Sequence, residues 1–160
     1  VVALCGIKSL DEKMILWSEE VIKNSKKLKI IIKPHPILPL NKISNSMELS
    51  IYKNRIIISN EDIKNLLQKT DVIISSGPTS VIFESIAYGC KLFYLFLDPS
   101  DPLIFKNISV SKNYFRLINN KEDLLKNMQS YCRKKEKKFN KNFKSSFYTK
   151  INKSNIKIFL

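Results

Sequence analysis

The stretch Asp71–Lys91, DVIISSGPTSVIFESIAYGCK, decides how the chain is read. Asp71 to Ile74 is a short apolar run of the kind that fills a buried parallel strand, and Ser75 to Ser80 is a dense cluster of turn and capping residues. From Ser80 onward Val81, Ile82, Phe83, Ile86 and Ala87 recur with helical spacing, Thr79 or Ser80 is a natural N-cap, and Gly89 stands where a helix would end. The unit is strand, polar turn, helix. The first N–H groups of a helix lack internal partners and carry the positive end of its dipole, so such a turn invites a phosphate. The hydroxyls of Ser75, Ser76, Thr79 and Ser80 can bond phosphate oxygens, and Gly77 lets a ligand approach the backbone. Glu84, one turn inside the helix, is within reach of ribose hydroxyls. The same residues also serve a purely local purpose, with hydroxyls capping the helix and Glu84 adding favourable charge near its start.

Working outward, the rest of the chain supplies strands and helices in alternation. Val1 to Gly6 reads as a buried strand, with no initiator methionine ahead of it, as in a fragment of a longer protein. Asp11 to Asn24 follows as an amphipathic helix with Met14, Leu16, Trp17, Val21 and Ile22 on or near its inner face and Ser9 and Asp11 as caps. Leu28 to Lys33 is a second strand that runs into Pro34-His35-Pro36, and the prolines hold His35 at the end of that strand. Lys33 and His35 can both donate to a phosphate there; the bland alternative is a loop histidine packed between prolines. Residues 37–54 carry no firm pattern. Arg55 to Ser59 is a third strand, and Glu61 to Lys69 a short helix capped by Ser59 or Asn60.

After the central unit, Leu92 to Leu97 is a further buried strand ending in a rigid polar turn, Asp98 to Pro102. Tyr114 to Ile118 makes a last strand, and a helix through about Lys135 carries Leu124, Leu125, Met128 and Cys132 on one face. This alternation predicts a doubly wound, mostly parallel α/β sheet of Rossmann-like kind in three layers, over residues 1–132. Residues 133–160 are expected to form a basic amphipathic helical tail in which Phe139, Phe143 and Phe147 recur every four residues. Such a stripe suits docking on protein, an anionic membrane surface or nucleic acid, protein being the commonest.

Composition narrows the classes. With 160 residues, 44% of them hydrophobic, the chain is one globular domain with a real core. Its apolar runs are too short to cross a bilayer, and a soluble, cytoplasmic protein is expected, with peripheral contact at the cytoplasmic face of the membrane allowed by the basic tail. Three scattered cysteines without a CxxC pair argue against a disulfide framework or structural zinc, and no metal or cofactor is expected. The formal charge of +14 invites an anionic partner, but the excess is lysine in an Asn- and Ile-rich, Gly-poor chain, so nucleic acid is the weaker expectation.

Two motifs in order carry a resemblance. Lys33-Pro34-His35-Pro36 resembles the HP motif, and Ser75-Ser76-Gly77-Pro78-Thr79-Ser80 the Ser/Thr-rich motif, of bacterial polysialyltransferases, capsule Kdo transferases and teichoic-acid glycerophosphotransferases, whose carboxyl-terminal halves are donor-binding domains of the GT-B glycosyltransferase type. Ser76-Gly77, Thr79 or Ser80, then Glu84 and Gly89 is similar to the wider GT-B signature for the ribose and phosphates of a sugar nucleotide. The resemblance covers about Leu28 to Pro102. It implies that His35 and the hydroxyls of Ser75, Ser76, Thr79 and Ser80 bind donor phosphates, and that Glu84 holds the ribose. It also implies that His35 protonates or stabilises the leaving group, and that the acceptor, a glycan or a lipid-linked one, sits on an amino-terminal domain this sequence lacks. A CDP-glycerol-type glycerophosphotransferase or a UDP-sugar epimerase of the same fold is the nearest alternative. A basic nucleic-acid-binding module or an inactive interaction remnant stands further off.

Overall fold

The computed structural model describes residues 1–26, 28–43, 52, 54–99 and 114–134. Six strands form a single parallel sheet: β1 (Val2–Ala3), β2 (Ile30–Lys33), β3 (Ile56–Ile58), β4 (Val72–Ser75), β5 (Lys91–Leu95) and β6 (Phe115–Ile118). Their order across the sheet is β3-β2-β1-β4-β5-β6, so the chain winds outward from β1 in one direction and then, from β4, in the other. Helices α1 (Lys8–Lys23), α2 (Ile63–Lys69), α3 (Val81–Ala87) and α4 (Lys121–Lys134) connect and cover the strands. The expected doubly wound α/β fold is the observed one.

The layers follow from the two-residue period of each strand. Val2, Leu4, Ile30, Ile32, Ile74, Phe93 and Leu95 face one side and meet Met14, Ile15, Val21 and Ile22 of α1 and Leu124 and Met128 of α4. Ala3, Ile73, Leu92 and Tyr94 face the other and meet Leu67 of α2 and Ile82 and Ile86 of α3. Over the central strands both faces are covered, so these need apolar residues on both and read as continuous apolar runs, while Ile57 and Ile58 of the edge strand β3 are exposed.

Element bounds shift at the edges. Helix α1 begins at Lys8, with Ile7 as its N-cap and no side-chain cap, so neither Ser9 nor Asp11 caps it. Asp62, rather than Ser59 or Asn60, caps α2, accepting from the Lys64 N–H at 2.8 Å. Leu16 is 57% exposed, and its expected inward place in α1 is taken by Ile15, which is fully buried, because a helix turns about 100° per residue. Phe83 at 40% exposure and the exposed Cys132 likewise lie off the inner faces of α3 and α4. Helix α4 continues through Lys134, across the expected boundary at 132, while the basic stretch after it and Phe139, Phe143 and Phe147 lie outside the described residues.

One side chain ties β3 to α1. The Nη1 of Arg55 donates to the carbonyls of Ile22 (2.9 Å) and Ser25 (2.7 Å), at the end of α1 where carbonyls have no helical partner, and its guanidinium lies 5.2 Å from the Tyr52 ring centroid. Replacing Arg55 with Ala is expected to lower unfolding free energy by about 1.5–3 kcal/mol, with Arg55→Lys recovering only part, as read by urea denaturation.

Candidate functional site

All six strands are parallel, so β2 and β4 end at the same edge of the sheet, one on each side of β1. The chain reverses its winding between β1 and β4, and in open α/β sheets the carboxyl edge at such a reversal is where a crevice forms. The loop after β2 carries His35, the loop after β4 carries Gly77 to Ser80, and the β1–α1 turn, Leu4 to Ile7, runs between them.

That middle turn touches both neighbours. A Cβ built on Gly6 would fall 2.7 Å from His35 Nδ1, so the imidazole lies directly on the Gly6 backbone. A Cβ on Gly77 would meet the Cys5 sulfur at 3.2 Å and Leu10 at 3.3 Å. Both glycines have positive φ, +85° and +70°, a conformation that a side chain disfavours even where space allows. His35 is half-buried; its Nδ1 accepts from the Ile37 N–H at 3.3 Å, which puts the proton of a neutral imidazole on Nε2 as a donor for a ligand. Lys33, the last residue of β2, is also half-buried.

The four hydroxyls of the β4–α3 turn divide into two pairs. Ser75 and Ser76 are fully buried, and their hydroxyls donate to the carbonyls of Ala3 (3.0 Å) and Leu95 (2.7 Å). They staple β4 to its two neighbours where the ladder bonds run out. A ligand resting on the loop does not reach them in this arrangement, which narrows the expected phosphate set to Thr79 and Ser80. The Thr79 hydroxyl accepts from the Val81 N–H at 3.4 Å, and Ser80, the N-cap by position, donates instead to Glu84 Oε1 at 3.0 Å. The other carboxylate oxygen, Glu84 Oε2, is buried without a hydrogen-bond partner among the described residues. An unpaired acceptor is costly to bury, and a ligand donor reaches this one only when the side chain turns outward.

Sequence reasoning gave Asp11 only a capping role. Its side chain is fully buried, and its two oxygens accept from the N–H groups of Cys5 (2.7 Å) and Gly6 (3.0 Å). The signal was present as a carboxylate one turn into a helix that follows a strand and a glycine turn. Cys5 beside it is no nucleophile: burial, with the Asp11 charge adding, pushes its thiol up to about 12. Among the described residues no three His, Cys, Asp or Glu side chains gather as a metal site would need. A hollow of about 390 Å³ opens at the opposite rim, around Lys29, Asp71 and Tyr131 at the amino ends of the strands.

Two outcomes test this geometry. Gly6→Ala must displace the imidazole and strain the turn, and is expected to cost about 1–3 kcal/mol in thermal unfolding and to shift the NMR signal of His35, which is the chain's only histidine. The unfolded Cys5 thiol ionises near 9 and the folded one near 12, so above pH 9 the folded state keeps a proton that the unfolded state has lost. This contribution to stability is fully present below pH 9 and falls between pH 9 and 12, at up to about 1.4 kcal/mol per pH unit. Denaturation of Cys5→Ala across that window is expected to show a shallower decline than the parent.

No protein-family profile matches the chain, and neither a curated protein nor a solved structure does. The site is read from its own chemistry.

Proposed function

We propose that this chain is the donor-binding half of a GT-B-type glycosyltransferase, acting in the cytoplasm on a nucleotide-activated sugar for surface polysaccharide synthesis. The observation that carries the reading is the position of the His35 loop and the Thr79–Ser80 turn on one edge of the sheet, flanking the winding reversal at β1. His35 and Thr79 are 44 residues apart in sequence, and a parallel sheet of this order brings their loops to one edge.

The roles follow from the donors and acceptors at hand. His35 Nε2–H and the Lys33 ammonium provide donors for the phosphates, and Thr79 and Ser80 add hydroxyls. Glu84, with its side chain turned outward from this arrangement, accepts from a ribose hydroxyl. As the sugar leaves, negative charge grows on the phosphate, and His35 offsets it or donates a proton to it. An acceptor, glycan or lipid-linked, and a base to activate it belong to a further domain.

Isothermal calorimetry with CMP, CDP, UDP and GDP tests the reading. One of these is expected to bind, and His35→Ala and Glu84→Ala are each expected to weaken it by about 10-fold or more, the loss of a charge-assisted hydrogen bond. Ser75→Ala is expected to lower stability without this selective loss. Failure of all four nucleotides, or unchanged affinity in both site variants, defeats the proposal.

A further inference from the structure

The turn after β1 is the place where a sheet of this strand order would receive the diphosphate of a dinucleotide, on the first N–H groups of the turn and helix. Here two of those groups, both on the turn, are taken. Asp11 sets one carboxylate oxygen on the Cys5 N–H at 2.7 Å and the other on the Gly6 N–H at 3.0 Å, and no part of its side chain reaches solvent. Two successive backbone N–H groups converging on one anion form the kind of concavity that binds phosphates elsewhere. The carboxylate is held in place by its own helix, since the Asp11 N–H donates to the Ile7 carbonyl at 2.9 Å.

We propose that the β1–α1 turn is an anion cradle filled by the chain's own Asp11, and that this makes Asp11 a specificity-determining residue. A phosphate brought to the turn would have to displace a buried carboxylate or lie against it, and like charges at that distance repel. Dinucleotides such as NADH and FAD, whose diphosphate belongs at this turn, are therefore shut out. The crevice is left to ligands whose phosphates sit on the β4 side, the class to which a mononucleotide diphosphate or a phosphodiester belongs. The turn that Asp11 fixes also backs both flanking loops, through Gly6 against His35 and Cys5 against Gly77.

The test is rescue by an added anion. In Asp11→Ala the cradle loses its anion, and formate or acetate at roughly 100 mM, enough to half-fill a site with a Kd near that value, is expected to raise the melting temperature relative to equal ionic strength of chloride. The parent protein is expected to show no such difference. Asp11→Ser, which shortens the side chain and leaves room for an added anion, serves in the same comparison if the alanine variant has no folded baseline. Alongside, NADH and FAD are expected to leave the Gly6 amide signal of the parent unmoved in NMR titration. Equal effects of formate on parent and variant, or saturable movement of Gly6 by NADH or FAD in the parent, overturn the proposal. Neither readout depends on a sugar nucleotide binding, so failure of the donor reading in calorimetry leaves this inference to stand or fall by itself.

Discussion

Every backbone N–H and C=O removed from water needs a partner, and this requirement is hardest to meet where a sheet changes its winding direction. Between β1 and β4 the ladder consists of little more than Val2 facing Ile74, after which the strands part. The groups released there are satisfied one by one. The Leu4 N–H finds the Lys33 carbonyl, the Ala3 carbonyl takes the Ser75 hydroxyl, and the Cys5 and Gly6 N–H groups take Asp11. The Leu95 carbonyl takes the Ser76 hydroxyl on the far side of β4. What is left for a ligand at this edge is what remains once the backbone has been provided for.

The same constraint explains what could be read from the sequence. Strand and helix positions follow the two periods of apolar residues, and alternating apolar runs and amphipathic stretches lead straight to a doubly wound sheet. Residue faces within a helix are less legible, because Leu16 and Phe83 are as apolar as Ile15 and Ile82, and only the phase of the helix against the sheet decides which is buried. The hydroxyl cluster is the least legible. A serine that bonds a phosphate and one that bonds a stranded carbonyl look alike in sequence, since the hydroxyl offers the same donor to both. Only the packed strands on either side of β4 assign Ser75 to the Ala3 carbonyl of β1 and Ser76 to the Leu95 carbonyl of β5, and leave Thr79 and Ser80 nearer the surface.

Asp11 went unread for a related reason. A carboxylate near a helix start is favourable through the dipole alone, so its presence in α1 calls for no further partner. Its actual bonds run backward, to residues before the helix, and depend on Gly6 turning at φ +85°, which the sequence expresses only as a glycine. Burying a carboxylate is costly unless its oxygens are bonded, and the two short N–H contacts meet that cost. In return the turn is held in place, and it meets the flanking loops closely because Gly6 in the turn and Gly77 in the β4 loop leave no side chain at the contacts.

Spacing then limits what the crevice can hold. Strands β2 and β4 are two apart, separated by β1, so the His35 and Thr79–Ser80 loops spring from points about 10 Å from one another at the sheet edge. A single phosphate does not bridge that gap. A ligand engaging both loops must be extended across Cys5 and Gly6 without placing its negative charge on them, because Asp11 already occupies their N–H groups. Charge near the β4 side and a neutral or hydroxylated part over the middle turn satisfy both conditions, and a nucleoside phosphate joined to a sugar or polyol has that distribution. A free inorganic anion lacks the length, and a dinucleotide has its charge over the wrong turn.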